Sequence, residues 1–473
     1  MNIKKLVYFS IGPLGGAFLS LITVPFVAWF FSVEDVGRLT MLQVILSLSV
    51  ALFSLAMHQA YVREYHEVAD KALLFKICII PGFIFLSLTC LVILFLPLSI
   101  SNLLFGIESQ YLTFLLVVSI FCSLFINFFS HVVRMEERGL AFSLTQITPK
   151  LLLILFIGSI PLMRLNAEFI TLMHMSSLSI VITFFVFCWV TRDTWIKSIN
   201  SSVDYSLLRR TILFSLPLVV GGISYWALTT IDRFFIRSIS GFEELGVFSL
   251  AVTIAGSVAV ISTIFSNIWH PILYRWVKDG VDLVKLQKIV DFMMLLITFI
   301  WSFLGVFSFL LPYFFPIDYA GIEYLLLPCA AVPLFYMFSQ VTSVGIGVTR
   351  KSTLSMSASI IALLVNCILN MLLVPLKGAS GAALATLLSF FIFFIIRTEA
   401  SAFIWYGFPR HKLYLLLVSY VLATIVFVLT EGAIQYFFVV WLSLISLTCI
   451  LYRVRVAELL SIFKSFIKRY SKT

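Results

Sequence analysis

The sequence predicts an all-helical membrane protein with about fourteen transmembrane helices, and three observations lead to this prediction. Of 473 residues, 61% are hydrophobic and 11% are charged, and the mean hydropathy is +1.10. The apolar residues form runs of about 20 residues, the length at which a helix crosses a hydrocarbon layer. Basic residues concentrate in alternate connections between these runs. A soluble enzyme is therefore excluded, and so is an outer-membrane barrel, whose strands alternate polar and apolar residues.

Fourteen hydrophobic segments are each predicted to be a helical span. The segments cover residues 6–31, 39–60, 73–98, 111–133, 141–163, 169–190, 212–236, 246–269, 289–315, 323–347, 354–376, 379–397, 413–430 and 435–452. Because Lys4 and Lys5 precede the first segment and no small-residue cleavage pattern follows it, this segment is predicted to remain in the protein.

The distribution of Lys and Arg predicts the orientation of the spans. With the N-terminus in the cytoplasm, 26 of the 32 Lys and Arg residues lie on the inner side, counting Lys76 and Arg397 near the inner ends of their spans. Four lie on the outer side, and two, Lys150 and Arg233, lie deeper within spans. This asymmetry places both termini in the cytoplasm under the positive-inside rule. The net charge of +10 therefore reflects membrane topology, and no nucleic-acid partner is expected.

The chain carries no motif for a metal, a cofactor or ATP. Its seven cysteines include no CxxC pair, its six histidines show no HExxH spacing, and no Walker motif is present. We therefore interpret the cysteines as small apolar packing residues and expect no cofactor.

Short motifs recur in the same order 205 to 212 residues apart, which indicates an internal duplication. The matched stretches are 9–16 with 214–222, 34–37 with 243–246 and, more loosely, 138–143 with 350–355. Each copy contains six spans, an even number, so the two repeats are predicted to be parallel and to form two lobes.

The duplication divides the chain into four predicted parts. Residues 1–198 form a six-helix lobe, 199–398 a second six-helix lobe, and 399–452 an additional transmembrane hairpin. In residues 453–473, apolar side chains recur at helical spacing with basic side chains among them, which suits an amphipathic helix on the anionic inner leaflet. The alternative is a partly disordered tail.

The span that opens each copy carries residues that weaken or interrupt a helix. They are Gly15 and Gly16 in the first copy and Pro217, Gly221 and Gly222 in the second. Two explanations are open: these positions are hinges that bend during transport, or the small residues allow close helix packing.

Two regions resemble the polysaccharide flippases of the multidrug/oligosaccharidyl-lipid/polysaccharide exporter superfamily. One is Asn366–Thr386, and the other combines Ile231–Ile236 with Glu244–Phe248. The resemblance extends over nearly the whole chain as a pattern and is closest to the O-antigen branch. It implies that the protein moves an undecaprenyl-diphosphate-linked oligosaccharide to the outer leaflet of the bacterial cytoplasmic membrane by alternating access. Because no Walker motif is present, either an ion gradient, of H⁺ or Na⁺, or downstream consumption of the product is expected to give the transport its direction, and other proteins of surface-glycan assembly are candidate partners.

Charges inside spans are the candidate site for an anionic headgroup. Lys150 lies in mid-span after Pro149, and Arg233 follows Asp232 in span seven. A charge within the bilayer requires a partner or a wet cavity, and a diphosphate would be stabilised by fixed cations. The alternative is an internal ion pair of Asp232 with Lys150 or another cation.

Other polar residues belong to two weaker groups. Arg63 and Arg134 are expected at the cytoplasmic mouth, where they either meet the headgroup or simply set topology. The candidates for ion coupling or internal ion pairing are Asp232, Asp291, His58 and His174.

Three rival functions follow from the same pattern. Two change only the cargo, to a peptidoglycan lipid precursor or a cationic drug. The third, a membrane glycan polymerase or ligase, requires a large outer loop, whereas the outer connections here have about a dozen residues or fewer.

Overall fold

The computed structural model describes residues 3–95, 99–278, 280, 283–432 and 434–470, and within these ranges all regular structure is helical. The helices of the first part of the chain are α1 (Ile3–Phe30), α2 (Val33–Phe53), α3 (Met57–Glu64), α4 (Lys71–Phe95), α5 (Ile100–Phe105), α6 (Gln110–Met135), α7 (Gly139–Met163), α8 (Phe169–Val190), α9 (Arg192–Asn200) and α10 (Tyr205–Thr230). Those of the second part are α11 (Asp232–Ile239), α12 (Phe242–Gly256), α13 (Val258–Lys278), α14 (Leu283–Phe307), α15 (Ile322–Thr342), α16 (Val344–Val348), α17 (Ser352–Ile404), α18 (His411–Leu429), α19 (Ile434–Leu451) and α20 (Arg453–Tyr470). Short 3₁₀ turns at Ser308–Tyr313 and Ile317–Tyr319 follow α14.

Each predicted hydrophobic segment overlaps one or two of these helices. Among the described residues, twelve helices are long and apolar enough to cross a membrane. One of them, α17, is two helices joined at a kink at Gly378, whose φ of 53° is left-handed, and it contains two predicted spans. A bent pair formed by α19 and the start of α20 adds a thirteenth candidate. The prediction of an all-helical, multi-pass membrane protein is confirmed, while its orientation and its duplication remain predictions.

The chain folds into two compact units, which we call unit 1 (residues 1–249) and unit 2 (residues 250–473). Unit 1 extends beyond the predicted first lobe because α10 packs against α2 and α3, α11 packs against α2, and the start of α12 contacts the start of α2. The unit boundary thus follows helix packing, whereas the predicted boundary at residue 198 follows the sequence duplication.

Within unit 1, the two related motifs at 34–37 and 243–246 lie against each other. A Cβ atom added to Gly37 would lie 2.1 Å from the carbonyl oxygen of Phe242, and one added to Gly246 would lie 2.2 Å from that of Val33. Both carbonyls lie four residues before the glycine of their own motif. We call this the reciprocal glycine contact. It brings the starts of α2 and α12 closer than any side chain would allow.

Helices α1 and α7 run side by side in the same direction. The backbone N–H of Gly12 donates to the Ser143 hydroxyl at 2.8 Å, and a Cβ added to Gly15 would lie 2.9 Å from the Ile147 side chain. Small residues on α1 thus allow the close approach of α7. This packing positions the candidate site.

The C-terminal segment is helical and turns away from the helix before it. The start of α20 is bent by 85° relative to α19. In unit 2, Arg455 at its start donates to Asp291 on α14 at 3.0 Å. Arg453–Tyr470 is therefore helical, while its amphipathic placement on the inner leaflet remains a prediction, and the side chains of residues 462–473 lie outside the described part of the chain.

Candidate functional site

Lys150 lies within α7 and points to α1. Its ammonium donates to the carbonyl oxygen of Gly16 at 2.8 Å and to the hydroxyl of Ser20 at 2.6 Å, and the side chain is half-buried. The Ser20 hydroxyl itself donates to the Gly16 carbonyl at 2.9 Å. Lys150 forms no ion pair with any residue that the structure describes, so the alternative pair with Asp232 is not formed.

The surroundings of Lys150 satisfy its hydrogen bonds without neutralising its charge. An ammonium has three donors, and the partners at Gly16 and Ser20 are uncharged oxygens that account for two of them. Because a charge in a spanning helix costs about 2.5 to 3.5 kcal/mol on insertion scales, an unneutralised lysine there marks a position suited to an anion.

Arg233 and Asp232 lie where span seven breaks between α10 and α11. Asp232 is buried, with 1% of its surface exposed, in the first turn of α11, where a helix N-terminus favours negative charge. Arg233 is half-buried, donates to the carbonyl oxygen of Thr229 at 2.8 Å and lies 5.8 Å from the ring of Phe248. Arg233 is thus held against its own span and α12, and its role in binding remains a prediction.

Arg63 and Arg134 are both exposed but have different neighbours. The Arg63 guanidinium lies 4.3 Å from the ring of Phe214 on α10, while that of Arg134 lies 5.8 Å from Phe142 on α7. Such an aromatic contact leaves the guanidinium N–H edge of Arg134 available to an anion, whereas Arg63 also approaches the carboxylate of Glu64 at 3.7 Å. These positions are compatible with either predicted role, headgroup contact or setting of topology.

A buried carboxylate between α3 and α10 was not among the predicted site residues. The side chain of Glu64 is 3% exposed and forms an ion pair with Arg210 on α10. Arg63 approaches the same carboxylate at 3.7 Å. The adjacent charges of Arg63 and Glu64 were visible in the sequence, but a partner 146 residues away was not.

His58 stacks on His131, with ring centroids 4.9 Å apart. The Nδ1 atoms of both rings are buried and have no hydrogen-bond partner among the described residues. The structure thus pairs His58 with a second histidine, which suits a group that takes up a single proton.

Asp291 and His174 have defined partners. The Asp291 carboxylate accepts from Arg455 at 3.0 Å and from the amide of Gln287 at 2.8 Å. Tyr111 hydrogen-bonds to His174, and their ring centroids are 4.9 Å apart. For Asp291 this arrangement favours the internal ion pair over ion coupling. No cluster of three metal-ligating side chains occurs in the described part of the chain.

The glycines predicted as hinges differ between the two copies. On α1, Gly15 faces Ile147 and Gly16 lies beside Lys150, so both contribute to packing against α7. On α10, the helix continues through Pro217 and Gly221, and a Cβ added to Gly222 would meet nothing within 4 Å. Packing therefore explains the first pair, whereas packing does not explain Gly222.

Comparisons with known proteins point to one family. The model of the family described as "Polysaccharide biosynthesis protein" matches residues 3–276. No curated protein sequence matches the chain. Among solved structures, the chain is similar to the lipid II flippase MurJ in an inward closed conformation, with 17% identity and a TM-score of 0.68 over 95% of this chain and 100% of that one.

Two structures of a multidrug resistance MATE family transporter of the MOP superfamily are also similar. The inward-facing structure has 16% identity and a TM-score of 0.59 over 82% of this chain and 94% of that one. The outward-facing structure has 17% identity and a TM-score of 0.54 over 85% and 95%. At these identities the likeness establishes a shared transporter fold.

Proposed function

The chain belongs to the polysaccharide biosynthesis protein family, and on that premise we propose that it flips an undecaprenyl-diphosphate-linked oligosaccharide across the bacterial cytoplasmic membrane. The cargo is the repeat unit of an O-antigen or a related surface glycan. It moves from the inner to the outer leaflet, and its lipid tail stays in the bilayer.

The observation that carries this proposal is the unneutralised ammonium of Lys150 within a spanning helix. Its partners are the uncharged oxygens of Gly16 and Ser20. A diphosphate that leaves water loses its solvation, and a fixed cation in a region of low dielectric offsets part of that loss. The same cation repels an organic cation, which disfavours export of cationic drugs.

Alternating access requires contacts that open in turn at the two ends of the helices. The reciprocal glycine contact joins α2 to α12 at one end, and the ion pair of Glu64 with Arg210 joins α3 to α10 at the other. We propose that the first closes the periplasmic side and the second the cytoplasmic side.

We propose that Asp232, which is buried, and His58, which is half-buried, are the residues that bind the coupling ion, a proton or Na⁺.

Deletion followed by lipid analysis tests the function. A strain that lacks the protein is expected to accumulate lipid-linked surface glycan on the cytoplasmic side, where an added periplasmic glycosidase cannot reach it. Accumulation on the periplasmic side would contradict the proposal and indicate a polymerase or ligase. Accumulation of the peptidoglycan lipid precursor in its place would show that this is the cargo.

A further inference from the structure

Unit 2 contains a polar cavity that the proposed function does not use. Its volume is about 410 Å³, within the range of about 300 to 1,000 Å³ that is usual for small-ligand pockets. It lies between the ends of α13 and α15, the turn after α16, and both ends of α17. The predicted topology places this end of the unit in the cytoplasm.

Two arginines line this cavity from different segments of the chain. Arg397, near the end of α17, is half-buried, donates to the Ser339 hydroxyl at 3.0 Å and lies 5.1 Å from the ring of Phe393. These contacts hold its guanidinium in place. Arg350, in the turn before α17, is exposed and forms no ion pair with a residue that the structure describes.

The other polar groups of the cavity are neutral. One amide and three hydroxyls line it, from Gln340, Ser343, Ser352 and Ser355. None of the described residues that line the cavity is acidic. Amides and hydroxyls donate hydrogen bonds to phosphate oxygens, and a guanidinium binds them through two parallel N–H groups. The cavity therefore has the donors and the charge for a phosphate-bearing group.

A turn of the same geometry in unit 1 has the opposite charge. The backbone N–H of Arg138 donates to Val133, as that of Lys351 donates to Ile346 in unit 2. The residue before each donor is left-handed, with φ of 58° at Glu137 and 57° at Arg350. A carboxylate thus occupies in unit 1 the position that a guanidinium occupies in unit 2.

In the unit 1 turn, the charge of Arg138, the residue after Glu137, is neutralised by a nearby carboxylate. Arg138 pairs with Glu136 at 3.2 Å and donates to the carbonyl oxygen of Val190. The corresponding segment of unit 2, residues 347–353, contains no acidic residue. The two units therefore share the geometry of this turn, but only the turn of unit 2, which lines the cavity, carries a positive charge without a nearby acidic residue.

We propose that this cavity is a docking site for the diphosphate headgroup of the transported lipid on the cytoplasmic side, occupied before the headgroup reaches Lys150. This proposal rests on the proposed function for its cargo and direction. Arg350 and Arg397 bind the phosphates, and the hydroxyls of Ser352 and Ser355 complete the hydrogen bonds.

Binding of inorganic pyrophosphate to the purified full-length protein tests the site. Arg350→Gln is expected to weaken binding about tenfold or more, because it removes a charge-assisted contact. Lys351→Gln removes the same charge from the adjacent exposed residue, which does not line the cavity, and is expected to change binding less than twofold. Arg397→Lys keeps the charge but loses the forked geometry, and it too is expected to weaken binding.

Equal binding by wild type, Arg350→Gln and Arg397→Lys would overturn the proposal, and so would equal losses in Arg350→Gln and Lys351→Gln. A second arm repeats the measurement in nanodiscs of phosphatidylcholine with or without phosphatidylglycerol. Pyrophosphate binding is expected to be unchanged by phosphatidylglycerol. Displacement by this lipid would assign the cavity to ordinary membrane headgroups and overturn its assignment to the cargo.

The outcomes for the site and for the function are separable. If deletion causes the lipid-linked glycan to accumulate on the cytoplasmic side but the arginine variants bind pyrophosphate as the wild type does, the docking site is refuted and the flippase proposal is supported. If the variants lose binding but deletion leaves the glycan lipid correctly distributed, the flippase proposal is refuted, and with it the identity of the cargo at this site.

Discussion

At the scale of single residues, the contacts of Lys150 separate a binding role from a structural one. The Gly16 carbonyl that it contacts also accepts from Ser20, so this acceptor stays partnered when the ammonium is removed. Loss of a charge from a spanning helix also removes a cost of insertion. We therefore expect the side chain to be dispensable for folding, which makes its substitution informative about transport.

Lys150→Ala is expected to abolish export of the surface glycan while the amount of protein in the membrane stays normal. Lys150→Arg tests whether charge alone suffices, since a guanidinium differs in shape from an ammonium. Arg164→Ala is the control, because it removes an exposed cation just after the same helix. Surface glycan and membrane protein are measured by immunoblot; full export by Lys150→Ala would remove this residue from the mechanism.

Glu64 illustrates a residue whose role is structural in this conformation. Its buried carboxylate is neutralised by arginines that are themselves about half exposed, at 55% and 56% for Arg63 and Arg210. Solvent screens such a pair, so its contribution is smaller than that of a fully buried one.

Glu64→Gln is expected to lower the free energy of unfolding by about 1 to 2 kcal/mol, because it leaves Arg210 without its counter-charge. Glu67→Gln, at an exposed position three residues on, serves as control and is expected to have little effect. Thermal unfolding in detergent measures both. In the double variant with Arg210→Gln the two losses are expected to be less than additive; simple additivity would show that the pair is not coupled.

At the scale of helices, glycines that look alike in the sequence have different surroundings. Gly246 lies against the backbone of Val33, whereas Gly222 faces open space. The first position excludes a side chain by contact, and the second tolerates one sterically. The two substitutions therefore probe packing and flexibility separately.

Gly246→Ala is expected to destabilise the protein by about 1 to 3 kcal/mol, because the added methyl overlaps a backbone carbonyl that cannot move aside cheaply. Gly222→Ala is expected to leave the melting temperature unchanged or slightly higher, because alanine stiffens a helix. If Gly222 is a hinge, the same variant also transports more slowly. Normal transport by Gly222→Ala would contradict the hinge, and an unchanged melting temperature for Gly246→Ala would contradict the reciprocal glycine contact.

At the scale of the whole molecule, the distribution of basic residues predicts both termini in the cytoplasm. A green fluorescent protein fused after Thr473 is therefore expected to fluoresce, and alkaline phosphatase fused there is expected to be inactive. Fusions in the outer connection near Arg164 are expected to behave in the opposite way. An active phosphatase at the C-terminus would reverse the orientation and exchange the predicted sides of every site.

The helical class and the positions of the spans could be predicted because they depend on local properties. Whether a segment enters a bilayer as a helix depends on the summed hydrophobicity of about 20 consecutive residues, which can be read along the chain. Lys150 could be identified as unusual for the same reason. A charge within an apolar run is conspicuous whatever it contacts.

The partners of these residues could not be predicted, because they depend on which helix faces meet. Lys150 contacts Gly16 across 134 positions, and Glu64 contacts Arg210 across 146. In the sequence, Arg397 ends an apolar run as many topology-setting cations do. Only the fold shows that it lines the same cavity as Arg350. The hydrophobicity of a segment is the sum over consecutive residues, so the sequence alone determines it. Contacts arise from close packing of helices, which brings together residues that are distant in the sequence and that no local pattern relates.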